Sequence, residues 1–372
     1  MKIAVFLPNW IGDVVMATPA LRALRLHFAC DEISYIGRSG PLVVLAGSTW
    51  ADQTIIDFSG QRAGKRSGQK GPDGKKTSSL AGFINLAMYL RRQKFDLGIV
   101  LPNSFRTALL GYLGGIGKLA GYARDGRSWL LDVKLQPQRN SLGFVPVPAI
   151  DYYNALASAV GAQASSRQME LPVVEADEQA AEGLLGEADI DRSRPIVMLN
   201  PGAAFGTSKL WPADRYAGLA DELIQRHSAQ IIINAAPAEK SIAAEVAGNM
   251  THKPTINFAQ RHNSLGLLKS LLRRCSLLVT NDTGARHIAA AVGAKVVTIF
   301  GSTDPDWTTL YYGQERIIRT NVPCAPCQQK ICPQPAGPFY HQCMAAISVQ
   351  SVLAAAEELL DSPGGDPAGA RP

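Results

Sequence analysis

At 372 residues the chain is too long for one ordinary domain and fits two of about 150 to 200 residues each. Its 46% hydrophobic and 18% charged residues suit two halves with their own cores, and no run approaches the roughly 18 consecutive apolar residues of a membrane-spanning helix. The net charge of +6 is uneven: residues 1–175 hold 20 Lys+Arg against 12 Asp+Glu, and the remainder 17 against 19. A basic first half implies an anionic partner, and nucleic acid, an anionic membrane surface and an acidic glycolipid all fit.

The N-terminus, MKIAVFLPNWIGDVV, opens with a basic residue and an apolar run, as a signal peptide would. Trp10, Gly12 and Asp13 interrupt it, and no small-residue cleavage site follows. It reads as a buried first strand running into a loop, in a chain expected to stay in the cytoplasm. Further strands are expected at Ile33 to Gly37, Thr54 to Phe58 and Leu97 to Pro102, with helical patterns at Leu21 to Phe28 and Leu80 to Gln93. The second half continues with strands at Pro195 to Asn200, Gln230 to Ala235, Leu277 to Asp282 and Lys295 to Phe300. Near-continuous β-branched runs separated by helices are the pattern of parallel sheets covered on both faces. Two such series predict an α/β protein of two doubly wound, Rossmann-like domains facing each other across a cleft, spanning 1–168 and 176–361.

Two stretches look unlike core. Gly60 to Ser79 carries Arg62, Lys65, Arg66, Lys70, Lys75 and Lys76 against Asp73 and is expected to form a mobile loop. The tail at 362–372 is expected to be disordered. Six cysteines in this length do not make a disulfide framework. Cys30 and Cys275 read as inert core thiols. Cys324, Cys327, Cys332 and Cys343, with His341 nearby, have enough soft ligands for a structural zinc. Reduced thiols packed in a Pro-rich loop are the favoured reading, and zinc or disulfides are the alternatives.

In an open parallel sheet, ligands bind beyond the carboxyl ends of the strands. The loop after the first strand, PNWIGDVVMATPAL, lacks G-x-G-x-x-G, which argues against a dehydrogenase. Its Asp13 is a helix cap or a general base, and spacing alone favours the cap. In LNPGAAFGTSKLWP, Gly202 and Gly206 let backbone approach a ligand, and Ser208 and Lys209 offer a hydroxyl and a cation suited to a diphosphate; a polar turn is the plain alternative. In LLVTNDTGARHIAAA a buried strand ends at Asp282 and a helix opens at Thr283-Gly284, a ready anion site with His287 one turn on. There, Asp282 as a simple cap and His287 as an ordinary half-buried histidine remain open.

The motifs PNWIGDVVMATPALRALR, LPNSFRTALL, GYARDGRSWLL, NPGAAFGTSKLWP and NDTGARHIAAA occur in this order. Together they resemble the heptosyltransferases of lipopolysaccharide inner-core synthesis (glycosyltransferase family 9), most of all the second-heptosyltransferase branch, over nearly the whole chain. The resemblance implies a GT-B fold with an acceptor domain followed by a nucleotide-sugar domain. It implies Asp13 as general base, Thr207, Ser208 and Lys209 beside the diphosphate, and Glu239 on the ribose. Asp282, Thr283, Gly284 and His287 would hold the donor, and Asn103 and Arg106 the acceptor. It also implies a monomer at the inner face of the cytoplasmic membrane. That enzyme would take ADP-heptose and an acidic acceptor, Kdo–lipid A or heptosyl-Kdo–lipid A, not nucleic acid, with no metal needed for the chemistry. Two alternatives remain: transfer of another sugar or to another acceptor, and a non-transferring epimerase or sugar-nucleotide-binding scaffold.

Overall fold

The computed structural model describes residues 1–59, 79–141 and 143–362. Of the basic segment expected to be a mobile loop, only Ser79 is described; of the tail expected to be disordered, only Ser362. The rest of both lies outside the described residues. The chain divides into two compact units, Met1–Arg167 and Gln168–Pro372.

The first unit holds a six-stranded parallel sheet of β1 (Lys2–Phe6), β2 (Glu32–Gly37), β3 (Gln53–Ile56), β4 (Leu97–Val100), β5 (Lys118–Tyr122) and β6 (Val133–Leu135), in the order β3-β2-β1-β4-β5-β6. Ile3 pairs with Ile33 on one side of β1 and Leu97 on the other. Helices on the sheet bury one stripe each: Ala87 and Leu90 of Ser79–Gln93 and Ala108 and Leu110 of Phe105–Leu113 share a core with Phe6, Ile36, Val100 and Leu119. A short antiparallel hairpin, β7 (Arg139–Asn140) and β8 (Gly143–Phe144), follows the sheet.

The second unit repeats the design with β9 (Ile196–Asn200), β10 (Gln230–Ile233), β11 (Ile256–Asn257), β12 (Leu277–Asn281), β13 (Val296–Phe300) and β14 (Glu315–Arg319), in the order β11-β10-β9-β12-β13-β14. Every residue of β9, β12 and β13 is buried, as expected of strands covered on both faces. Both sheets reverse direction of strand order at their first strand, between β1 and β4 and between β9 and β12. Those are the topological switch points, where doubly wound folds bind ligands.

The expected strands are all present, ending up to two residues earlier than the apolar runs. Cys30 differs from expectation: it sits in the turn that follows the helix Thr18–His27 and is exposed. Cys275 is buried, and burial pushes its thiol up to about 12.

Candidate active site

At the switch point of the second unit, the loop leaving β9 closes with a 3-10 turn, Thr207–Lys209. Lys209 Nζ donates to the Asp282 main-chain oxygen at 3.1 Å and to its Oδ2 at 2.5 Å, just past the end of β12. Both side chains are about nine-tenths buried. Thr303 Oγ1 donates to the same carboxylate oxygen at 2.9 Å, and Arg286 lies 3.6 Å from the other. Arg286 is in turn clamped by Glu315 of β14 through two bonds of 2.6 and 3.0 Å. Burial alone would raise the Asp282 carboxyl; the Lys209 and Arg286 charges outweigh it and hold it below the ordinary carboxylate range.

Thr283 is the N-cap of the helix Gly284–Ala291, and no side chain caps the helix. Its first N–H groups therefore keep their capacity for an anion, with the helix dipole behind them. Asn200 fixes the turn, donating to Thr280 Oγ1 at 3.0 Å and Thr283 Oγ1 at 3.1 Å. Asn281 Nδ2 donates to the carbonyls of Pro201 and Gly202, tying the two strand ends together. Glu239, at the start of the helix Lys240–Asn249, presses against Gly202, where a Cβ would overlap its carboxylate. Burial raises the Glu239 carboxyl above its ordinary value.

The structure thus brings Lys209, Asp282, Thr283, Gly284 and Glu239 to one rim. Thr207 is exposed there. Ser208 is turned inward: its hydroxyl donates to the Gln329 carbonyl at 2.5 Å and meets Ser302 Oγ at 3.0 Å. His287 is also not at the mouth. It is buried beneath the helix, its Nδ1 has no partner, and burial and then Arg286 bring it down to about 3, so it is neutral. Arg286, Thr303 and Glu315 went unnoticed in the sequence; the only local signal was the i, i+4 spacing of Asp282 and Arg286.

In the first unit, Asp13 is the third residue of the helix Ile11–Met16, directly after β1. The cap position belongs to Trp10, which makes no side-chain cap bond, so the cap reading of Asp13 is corrected. Asp13 is partly exposed and close enough to Tyr153 for its charge to add to the burial that raises that phenol. After β4, Asn103 Oδ1 accepts from Tyr152 OH at 2.8 Å and Arg127 Nη2 at 3.2 Å. Fully buried Arg127 also donates to the carbonyls of Pro102, Ser104 and Tyr122, so it shapes the loop that carries Asn103. Arg106 pairs with Asp57 at 3.2 Å and reaches Ser59 Oγ. A cavity of about 300 Å³ beyond β5 is lined by Arg124, Ser128, Gln136 and Arg139, with both arginines over the Phe144 ring.

Two doubly wound parallel sheets, each switching direction beside its candidate residues, define an α/β protein of the GT-B type. The profile described as "Glycosyltransferase family 9 (heptosyltransferase)" matches residues 83–336, and the chain belongs to that family. It is a glycosyltransferase. It is similar to lipopolysaccharide heptosyltransferase 2 of Escherichia coli, 26% identical over 97% of this chain and 99% of the relative. Among solved structures it resembles a family 9 glycosyl transferase from Veillonella parvula, with a TM-score of 0.78 and 22% identity over 96% of this chain and 97% of that one. It also resembles E. coli ADP-heptose heptosyltransferase II, with a TM-score of 0.72 and 24% identity over 97% and 98%.

Proposed function

We propose that the chain transfers heptose from ADP-heptose to the inner core of lipopolysaccharide, as its relatives' names describe for them. The observation that carries this reading is the buried Lys209–Asp282 pair beside an uncapped helix N-terminus at the β9–β12 switch point. An ammonium has three donors. Two of those on Lys209 go to Asp282, which leaves the third for a donor phosphate.

In this reaction Asp13 takes the proton of the acceptor hydroxyl while its oxygen attacks the anomeric carbon. The bond from that carbon to the diphosphate oxygen breaks in the same displacement, which inverts the centre. The charge growing on ADP is met by Lys209, Thr207 and the N–H groups of the Thr283–Gly284 turn. Asp282 holds Lys209 in place, Glu239 takes the ribose hydroxyls, and neutral His287 packs beneath the turn. No step calls on a metal ion.

The first unit takes the acidic acceptor in this proposal. Arg124 and Arg139, lining one cavity, and Arg106, half-exposed in the helix that follows Asn103, support it. Peripheral contact with the inner face of the cytoplasmic membrane, by a monomer, belongs to the same reading. Its support is an exposed apolar stripe, Leu80, Ile84 and Met88, at helical spacing on Ser79–Gln93, and exposed Trp129 packed on Phe105 and Tyr112. The test is to incubate the protein with a panel of sugar nucleotides and an inner-core acceptor and weigh the products. A heptose-sized increment from ADP-heptose alone supports the proposal; transfer of a different sugar, or none, removes it.

A further inference from the structure

Between β14 and the short helix Gln342–Ala345, residues 320–341 contain no helix or strand. Irregular segments this long are uncommon in compact domains unless something else holds them. Apolar burial does little here, since Ile331, Phe339 and Tyr340 are all exposed. Yet the segment buttresses the donor loop. The Lys330 carbonyl accepts from Ser208 N at 3.1 Å, the Gln329 carbonyl from Ser208 Oγ, and Gln328 N donates to the Ser302 carbonyl at 2.7 Å. Gly206 runs so close beneath Lys330 that a Cβ would overlap its carbonyl.

Behind that contact, Cys324, Cys327, Cys332 and Cys343 line one cavity together with His341, Ser208 and Ser302. The cavity volume is about 10 Å³, room for a single water-sized sphere or ion. None of the four cysteines is in a disulfide. His341 donates its backbone N–H to Cys332 Sγ at 3.3 Å, the kind of bond that supports a thiolate, while its buried Nε2 has no partner. Thiols are weak hydrogen-bond donors and gain little from crowding around a small cavity. As thiolates around a soft cation they gain a great deal.

We propose that Cys324, Cys327, Cys332 and Cys343 bind one thiophilic cation of the zinc type, and that this ion pins residues 320–343 to the Gly206–Lys209 loop. Among the described residues no group of three or more His, Cys, Asp or Glu side chains stands where it could hold a metal ion as placed. The sulfurs therefore close onto the ion as it binds. Cys343 is the fixed point: it is buried in a helix, with its Sγ against Gly301. The other three ride on irregular backbone that can adjust. Each thiol releases its proton to solvent as its sulfur bonds the ion, and no redox change is involved. A dication with four thiolates carries net negative charge, so it would repel a diphosphate. The ion belongs behind the donor loop as a staple, in place of the plain reduced thiols expected from the sequence.

The test uses full-length protein purified under reducing conditions. Elemental analysis should find about one equivalent of zinc or iron per chain. Cobalt(II) added to the metal-free protein should give thiolate charge-transfer absorption. Alkylation mapped by mass should show these four cysteines protected by the metal and Cys30 not. Less than about a tenth of an equivalent, together with no cobalt–thiolate band, overturns the site. So does protection that maps elsewhere. The link to the donor loop rests on the sugar-transfer reading and has its own readout. Stripping the ion should weaken ADP binding several-fold in an otherwise folded chain, and unchanged binding overturns the staple role. Metal content and thiol protection do not depend on which sugar is transferred, so failure here and failure of the proposed function are distinguishable.

Discussion

Lys209 Nζ and Asp282 Oδ2 meet at 2.5 Å although 73 positions separate them, and the contact joins the loop after β9 to the end of β12. From Asp282 the charges run on to Arg286, then to Glu315, which also accepts from Thr298 at 2.6 Å. Burying such groups costs several kcal/mol per ion, so a chain of this kind persists only where each member has a partner. It gives the switch point a rigid, pre-charged wall.

Removing one member should therefore cost more than removing a pair. Asp282→Ala strands Lys209 in the interior, while Arg286 keeps Glu315, and should destabilise the second unit by about 3–5 kcal/mol. Lys209→Met should lower kcat by about 10²–10³ through loss of leaving-group stabilisation. In the double variant the stability losses should fall clearly short of additive, because neither charge is left alone. Urea denaturation of all three variants checks this. Additive losses would mean that the two groups do not depend on each other.

Two glycines of the donor loop make opposite predictions. A Cβ at Gly206 meets the backbone carbonyl of Lys330, which has little freedom to move; one at Gly202 meets only the flexible end of Glu239. Gly206→Ala should cost about 1–3 kcal/mol of loop strain and weaken ADP binding accordingly, about tenfold for each 1.4 kcal/mol. Gly202→Ala should leave stability nearly unchanged and displace Glu239, raising the donor KM without changing kcat. Thermal melts alongside ADP titrations separate the two. Equal behaviour of the two variants would remove the assigned role of the Lys330 contact.

How much of this was readable in advance depends on where each residue lies. β1, β9, β12 and β13 are buried on both faces, so their apolar runs announced them. β5 (KLAGY), β6 and β11 are short or interrupted by glycine, and β14 (ERIIR) begins with a charge that its partners Arg286 and Thr298 explain. The loops after β1, β9 and β12 were readable as ligand loops because parallel sheets bind at those ends. What each side chain does there was not. Ser208 turns inward to Gln329, a partner far away in the chain, and His287 is buried with its Nδ1 unpartnered. Spacing cannot reveal those.

Asp13 offers the sharpest test of the catalytic assignment. Asp13→Asn keeps the shape and removes the base, so kcat should fall by about 10²–10⁴. ADP affinity should not change, because Asp13 belongs to the first unit and the candidate donor residues to the second. Rapid-quench turnover and calorimetric ADP titration on the same preparation decide the matter. Retained turnover would remove Asp13 from the mechanism.

His287 predicts a pH dependence of stability. Its ordinary value is 6.5, and burial lowers it to about 3 in the folded chain. Below pH 6.5 the unfolded chain binds this proton and the folded chain does not, so stability is full above that pH and falls as the solution is acidified toward pH 3. The slope is about 1.4 kcal/mol per pH unit for one proton. Asp282, held below its ordinary value, contributes in the same direction at the acid end, where its carboxylate protonates. His287→Gln keeps a polar side chain but cannot take up the proton. Between pH 6 and pH 4.5 the variant should therefore lose less stability than the parent chain. Denaturation midpoints across that window test it, and parallel curves for the two proteins would show that His287 is not held neutral in the fold.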